Sequence, residues 1–244
     1  MISNTLILKA FVIFTSIFIF SCTINKQIYQ KNNDQTKIRS LSGTWKFSNQ
    51  NLKSHNFYLS DFDDSVWEDI KVPSNWYLTG KDISGYAVYR KHFLISPNNK
   101  NKYLKLSFIG VDYTADVWLN GSYIGFHEGY FKDFSFDISD KINFKSDNVL
   151  TVMVNSPNEE IDKSWSLNKR LIKGVFNHHD TRPGGAWSNR GQEKNTGGIW
   201  NDVLIQSSDY VSLDNIQIKT SINKEYNDSD IDLTFKLDSQ TSEK

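Results

Sequence analysis

The sequence predicts an all-β protein folded as an antiparallel sandwich. From Leu41 onward, apolar and polar residues alternate in short runs, beginning at Trp45 and Phe47 and ending with the run 199–205. Alternation with period two is typical of half-buried strands. Turn residues separate the runs, and no helical pattern extends beyond a turn or two near Asp63–Asp69. Short strands, frequent turns and little helix together favour a sandwich.

The clearest local signal is a hairpin turn at Asn120-Gly121. This dipeptide tolerates positive φ at both central positions of a two-residue turn, and it follows the alternating run 115–119 directly. A similar alternating run, at 104–108, lies upstream of it. We therefore expect short strands on both sides of this turn, and two hairpins in the stretch from Leu104 to Val154.

One strand is predicted to lie inside its sheet. The run 148–154 has apolar residues on both faces, among them Val149, Leu150 and Val152. A strand that is apolar on both faces is covered on both sides, so we expect it at the centre of the sheet.

Composition narrows the classes of partner. The 244 residues carry 28 basic and 28 acidic side chains, and this balance gives no electrostatic footprint for nucleic acid. Aromatic residues make up 14% of the chain, which suits both half-buried sheets and sugar-binding surfaces. A domain of about 170 residues can bury roughly 70% of its unfolded surface, so it needs no disulfide or metal to hold it together. We also expect no cofactor.

The first 22 residues have the pattern of a secretory signal. An apolar run at 10–20 is too short to span a bilayer and precedes the only cysteine, Cys22. Ile19-Phe20-Ser21-Cys22 resembles the bacterial lipoprotein box, which implies lipidation of Cys22 and anchoring to a membrane. Ordinary cleavage that leaves a free thiol is the alternative. Residues 23–38 are polar, as a tether would be, so we expect an exported, anchored protein in the periplasm or at the cell surface.

A long connection separates the last two strands of the sandwich. Residues 155–196 show weak periodicity but contain many aromatic and charged residues between glycines. Connections of this length are usually functional or disordered. This composition is not that of a disordered segment and suggests a surface that meets a ligand or a second domain. Its pair His178-His179 does not predict a metal site, because adjacent side chains in extended backbone point to opposite faces. We expect these histidines to pack within the loop or to contact substrate.

Residues 209–244 contain two further alternating runs. Ile216, Ile218 and Ile222 alternate with polar neighbours, and a second set begins at Ile231. Two strands alone are marginal in water, so we expect this segment to be the start of a second sandwich.

Six short motifs occur in an order that resembles a known family. They are Trp45-Lys46-Phe47, Val72-Pro73-Ser74-Asn75-Trp76, Tyr89-Arg90-Lys91-His92-Phe93, the run 110–121, His127-Glu128-Gly129-Tyr130 and the run 196–203. Over residues 39–208 the chain resembles the N-terminal sugar-binding domain of glycoside hydrolase family 2, which includes β-galactosidases, β-glucuronidases and β-mannosidases. The Trp-Asp-Trp-Gly run associated with β-mannosidases is missing from the long connection, which favours a galactosidase-like or a less familiar specificity over that of a mannosidase.

The resemblance implies a jelly-roll, galactose-binding-like domain at 39–208, followed by an incomplete immunoglobulin-like domain at 209–244. In this family the chemistry lies in a separate (β/α)₈ barrel that carries two glutamates, about 5–5.5 Å apart in retaining enzymes. Such a barrel needs about 250 residues. We therefore assign no catalytic residue in this chain and expect the chain alone to be inactive, with the barrel supplied in cis or in trans.

The resemblance also implies residues at the rim of the substrate pocket. Asp82 follows the Val-Pro-x-x-Trp segment, and Glu193 precedes the Gly-Ile-aromatic motif. Asp180 and Arg182 have charges that suit a polar sugar face, and Trp187 either stacks on a sugar ring or holds the loop to the sandwich. For each acid, a solvated loop position is the alternative. Three other acids, Asp61, Asp63 and Asp64, are expected to solvate and cap the turn before Val66-Trp67.

The leading interpretation is the N-terminal portion of an exported, retaining exo-β-glycosidase that acts on terminal β-linked sugars. A lipid-anchored carbohydrate-binding module without a catalytic partner is the alternative. A truncated gene product, or one half of a split enzyme, is a third.

Overall fold

The computed structural model of the chain describes residues 37–50, 56–157, 196–209 and 211–239. In these ranges the chain is almost entirely strand, with short 3-10 turns at Tyr77–Thr79 and Pro97–Asn99. None of its described helical turns is long and apolar enough to cross a bilayer. The strands are β1 (Lys37–Ser40), β2 (Gly43–Ser48), β3 (Glu68–Val72), β4 (Gly85–Phe93), β5 (Tyr103–Phe108), β6 (Thr114–Leu119), β7 (Ser122–Glu128), β8 (Phe134–Asp137), β9 (Asn148–Ser156), β10 (Val203–Ser208), β11 (Val211–Ile222) and β12 (Ser229–Ser239).

Two sheets form the sandwich. One is six-stranded in the order β3-β2-β4-β9-β6-β7, and the other is four-stranded in the order β1-β10-β5-β8. The strand pairs from β2 to β10, such as β4–β9 and β10–β5, run antiparallel. Side chains from both sheets, including Trp45, Leu106 and Val152, share one buried core. The predicted antiparallel sandwich is therefore confirmed.

The predicted central strand and hairpin are also confirmed. β9 lies between β4 and β6, and Val149, Leu150 and Val152 on its two faces are at most 3% exposed. Asn120 and Gly121 have φ values of 51° and 83° and join β6 to β7. The expectation of two hairpins between Leu104 and Val154 is wrong in one respect: the run 104–108 is β5, which lies in the other sheet between β10 and β8 and forms no hairpin with β6.

The weak helical pattern near Asp63–Asp69 does not form a helix. The chain makes a non-helical turn there and then enters β3 at Glu68. β3 pairs with β2, with Ile70 opposite Trp45. The burial of Ile70, which is 4% exposed, explains why a strand forms at this point.

The segment 56–67 covers part of the outer face of the six-stranded sheet, and Arg90 on β4 fastens it. The Arg90 guanidinium is completely buried and donates to the backbone oxygens of Phe57, Leu59 and Phe62. Its Nε also donates to Asp64 Oδ2 at 2.7 Å. A buried strand arginine therefore supplies the hydrogen bonds that this loop needs.

The three acids of this segment have different roles. Asp63 Oδ1 accepts from the Ser65 backbone N–H at 2.9 Å, which confirms the expected cap. The same expectation for Asp64 is wrong, because its carboxylate faces β4 and forms hydrogen bonds with the side chains of Arg90 and His92. Asp61 is exposed, consistent with a solvated acid.

β11 and β12 form a separate two-stranded ribbon, as the alternating runs predicted. Ile218 lies opposite Leu233, and Leu213 lies opposite Leu237. Directly opposed residues project on the same side of a sheet, so the apolar residues form one face. All are 46–66% exposed: Val211, Leu213, Ile216, Ile218, Ile222, Ile231, Leu233, Phe235 and Leu237.

Candidate functional site

One end of the sandwich carries Asp82, the predicted substrate contact that falls within the described residues. β4 begins at this end, β9 finishes there, and the chain returns to it at Thr196. The exposed segment that carries Asp82 lies between the Tyr77–Thr79 turn and β4. We call this end the rim.

A buried carboxylate joins two distant parts of the chain at the rim. Asp112 is 1% exposed, and its Oδ1 accepts from Ser156 Oγ at 2.9 Å. Its Oδ2 accepts from Thr196 Oγ1 at 3.2 Å. The backbones of Asp112 and Gly198 also exchange two N–H···O bonds of 2.9 Å. The end of β9 and the chain at 196–198 are therefore fixed to the same residue.

The side chains of Trp76 and Tyr89 are buried next to this junction and bind to each other. Trp76 Nε1 donates to Tyr89 Oη at 2.6 Å, and the Trp76 backbone N–H donates to Gly197 O at 2.8 Å. Burial, together with the Asp112 charge, raises the pKa of Tyr89 well above its ordinary value. The Tyr89 hydroxyl therefore stays neutral and acts as a fixed hydrogen-bonding group.

Gly197 is required by the close approach of two side chains. A Cβ at this position would lie 2.5 Å from the Trp76 ring and 2.6 Å from Ser156 Cβ. Such contacts are far below van der Waals distance. The Gly-Gly pair of the motif at 196–203 is thus explained by packing against Trp76.

The Asp82 segment is positioned by a short 3-10 turn. Asn75 Oδ1 accepts from the Leu78 backbone N–H at 2.7 Å, and Thr79 Oγ1 donates to Trp76 O at 2.8 Å. The Lys81 backbone N–H then donates to Trp76 O at 2.8 Å. Asp82 follows directly and is exposed. Its predicted contact with substrate stays a prediction.

Glu128 is a rim carboxylate to which the sequence analysis gave no role. It is exposed on β7, and Tyr113 Oη donates to its Oε1 at 2.5 Å. The Tyr113 ring contacts Tyr130 at a centroid distance of 4.6 Å, and Trp200 Nε1 donates to Tyr130 O at 3.1 Å. Glu128 and Tyr130 both belong to the motif His127-Glu128-Gly129-Tyr130, which was the available signal.

The other predicted site residues cannot be placed. Asp180, Arg182, Trp187 and Glu193 lie outside the described residues, as does Cys22. The adjacent pair His178-His179 also lies outside them. Within the described ranges, no group of His, Cys, Asp and Glu is arranged to hold a metal ion.

The fold and the rim together are those of a galactose-binding-like sandwich domain. A family model described as glycosyl hydrolase 2 galactose-binding domain-like matches residues 45–206. The chain therefore belongs to glycoside hydrolase family 2 and contains its galactose-binding-like N-terminal domain. The predicted family is confirmed.

Curated relatives named as β-galactosidases or β-glucuronidases are similar to this chain over part of their length. A β-galactosidase from Psychromonas ingrahamii is 26% identical over 90% of this chain and 21% of the relative. A β-glucuronidase from Formosa agariphila is 27% identical over 68% of this chain and 16% of the relative. The chain thus spans about a fifth of the length of the curated relatives it matches.

Solved structures show the same fold. The β-glucuronidase of Lactobacillus rhamnosus matches with a TM-score of 0.61 and 20% identity, over 85% of this chain and 34% of that one. A family 2 member from Bacteroides cellulosilyticus matches with a TM-score of 0.55 and 21% identity, over 76% of this chain and 23% of that one.

Proposed function

We propose that this chain is the N-terminal portion of an exo-β-glycosidase that hydrolyses terminal β-linked sugars with retention of configuration. The catalytic acid/base and nucleophile would be two glutamates of a barrel domain outside these residues. The role of the chain is then to form part of the pocket wall, not to break bonds. Its match to about a fifth of a β-galactosidase is the observation that carries this proposal.

The geometry of the rim supports this role. Asp82 and Glu128 place carboxylates in solvent at the end where Asp112 fixes Ser156 and Thr196. A carboxylate can accept hydrogen bonds from two adjacent sugar hydroxyls. Tyr113 holds one oxygen of Glu128, which restricts the orientation of that carboxylate before substrate arrives.

The exposed face of the ribbon supports a second, immunoglobulin-like domain. Its nine apolar side chains are each at least 46% exposed, whereas a stable sheet buries such a face. Further strands of the same domain are the occupant we propose. The opposite face of the ribbon carries Lys219, Asp230 and Asp232, so only one face needs to be covered.

Export and lipid anchoring are part of the proposal and rest on the sequence of residues 1–22. The apolar run at 10–20 precedes Cys22, and a polar segment follows it. Metabolic labelling with a radioactive fatty acid tests this, with Cys22→Ser as the matched variant. We expect label in the natural protein and none in the variant. Equal labelling of both would contradict anchoring at Cys22.

The enzymatic proposal is tested by the gene and by activity. We expect the reading frame to continue past the Lys244 codon into a barrel with two glutamates. The longer product should hydrolyse an aryl β-glycoside, whereas the 244-residue chain should give no turnover that survives repurification. In the longer product, Asp82→Ala should raise KM more than it lowers kcat. A downstream frame that encodes an unrelated fold would refute the proposal.

A further inference from the structure

A cluster of aromatic side chains on the outer face of the six-stranded sheet has no role in the rim. On the β6–β7 hairpin, Trp118 lies opposite Tyr123 and Asp116 lies opposite Phe126. Opposed residues share a face, and the intervening Val117 points into the core. Tyr123 and Phe126 are 52% and 53% exposed. Together with Tyr58, these residues form what we call the platform.

Three rings of the platform, those of Tyr58, Trp118 and Tyr123, contact one another. Tyr58 stacks on Trp118 at a centroid distance of 5.7 Å and an interplanar angle of 17°. Tyr123 contacts the same indole at 5.4 Å and 63°. The buried Phe57 contacts Trp118 at 5.8 Å, nearly edge-on. Aromatic pairs in these arrangements attract each other beyond their buried area.

Three hydrogen bonds hold Tyr123 and the backbone on either side of Tyr58 in place. Tyr123 Oη donates to Asp116 Oδ1 at 2.9 Å, which sets the orientation of the phenol. The buried Arg90 donates to the backbone oxygens of Phe57 and Leu59, on either side of Tyr58. The platform therefore exists before any ligand arrives, and a preorganised surface loses little entropy on binding.

The negative charge of Asp116 indicates which kind of molecule the platform binds. Asp116 lies among the rings, and an apolar protein surface laid over them would bury this carboxylate, which is costly unless it gains partners. A pyranose chain instead offers C–H faces to the rings and hydroxyl donors to the carboxylate. Asp116 would repel an acidic polymer. The apolar face of the β11–β12 ribbon, by contrast, carries no carboxylate among its described side chains, so it suits an apolar protein surface.

We propose that Tyr58, Trp118, Tyr123, Phe126 and Asp116 bind a neutral polysaccharide chain on the face of the sheet, separately from the rim. The rim lies where β6 begins at Thr114, whereas Trp118 and Tyr123 lie toward its other end. This goes beyond the proposed function, because the platform holds a polymer without hydrolysing it. It would keep the protein on its polymer between encounters of a chain end with the rim.

Affinity electrophoresis of the 244-residue chain tests the proposal. Native gels would contain β-1,4-galactan, xylan or hydroxyethylcellulose, with polygalacturonate as the acidic comparison. We expect retardation by at least one neutral polymer and weaker retardation by polygalacturonate. Tyr123→Ala and Phe126→Ala should each weaken binding about tenfold, as expected for an aromatic contact at the centre of an interface. The matched control is Tyr226→Ala, which removes a tyrosine that is 79% exposed in the ribbon.

The gels can support or overturn the proposed binding of a neutral polysaccharide. No retardation by any neutral polymer, or retardation that Tyr123→Ala and Phe126→Ala leave unchanged, would overturn the proposal. Equal binding of polygalacturonate would overturn the role of Asp116. Urea midpoints of the variants establish that they are folded. Hydrolysis of an aryl β-glycoside by the longer product should not change in Tyr123→Ala, so failure of the platform is distinguishable from failure of the enzymatic proposal.

Discussion

Asp64 and Arg90, 26 residues apart, form a buried ion pair in which Nε of Arg90 donates to Oδ2 of Asp64 at 2.7 Å. The arginine side chain is fully buried and that of Asp64 is 11% exposed. The guanidinium also reaches Thr151 Oγ1 at 3.2 Å, so it connects β4, β9 and the segment 56–67. A single strand residue therefore holds a loop on the outer face of the sheet.

Replacement of Arg90 should destabilise the sandwich strongly. Arg90→Met removes the donors for Phe57, Leu59 and Phe62 and leaves Asp64 without its closest cation. Breaking a buried pair in this way costs about 3–5 kcal/mol. Urea unfolding measures the loss. Lys224→Met, an exposed replacement, should change stability by less than about 0.5 kcal/mol. Equal midpoints for both variants would contradict this role of Arg90.

The same pair should make stability depend on pH in the acid range. Burial alone would raise the pKa of Asp64, but hydrogen bonds from Arg90 and His92 outweigh burial and lower it below the ordinary 3.8. A lowered pKa in the folded state contributes stability that is present above about pH 4 and is lost as the pH falls through the folded value. Urea unfolding between pH 6 and pH 2.5 measures it. Asp64→Asn should show a shallower decline, and an identical slope would rule out this carboxylate as the source.

Gly197 should not tolerate a methyl group. In Gly197→Ala the new Cβ would overlap the Trp76 ring and Ser156, and overpacking of this kind costs about 1–3 kcal/mol. Gly80→Ala is the control, because nothing lies within 4 Å of its Cβ and only its φ of 77° opposes the change. Thermal unfolding gives the cost, and tryptophan fluorescence should change in Gly197→Ala alone. Unchanged fluorescence in Gly197→Ala would count against contact with Trp76.

Asp112 should hold the two parts of the rim together. Asp112→Ala leaves Ser156 Oγ and Thr196 Oγ1 without this buried acceptor, at about 1–3 kcal/mol for each group that stays unsatisfied. We expect faster hydrogen exchange at the Gly198 amide, which donates to Asp112 O. Asp140→Ala, which removes a carboxylate that is 79% exposed, is the control and should leave that amide protected. Protection retained in Asp112→Ala would mean that the backbone bridge suffices.

Local patterns were sufficient for much of the fold. The Asn120-Gly121 turn, the central strand around Val152 and the two strands of the ribbon all follow from rules that act over a few residues. These rules do not reveal which residues meet across the chain. Arg90 lies at a position that period two assigns to the outer face of β4, and nothing near it shows that the segment 56–67 buries that face.

The candidate site was harder to predict from the sequence, because local rules do not show which distant residues meet. Asp82 could be proposed because a family motif precedes it, and the structure places it in solvent at the rim. Asp112 and Glu128 also lie in recognised motifs, but their partners Thr196 and Tyr113 come from elsewhere in the fold. Side-chain hydrogen bonds between distant residues have no local signature in the sequence, so the roles of these two acids could not be predicted from it.

Because β10 pairs with β5 but follows it much later in the chain, the two strands are synthesised at different times. β10 lies between β1 and β5, yet it is made about a hundred residues after β5, with Val203 opposite Phe108. While the ribosome translates the intervening segment, β5 has β8 on one side and an open edge on the other. Open edges and long-range pairings favour slow folding and aggregation of nascent chains. A chain whose synthesis ended before Val203 would therefore leave one edge of β5 exposed. We expect chaperones and proteases to act on such a chain.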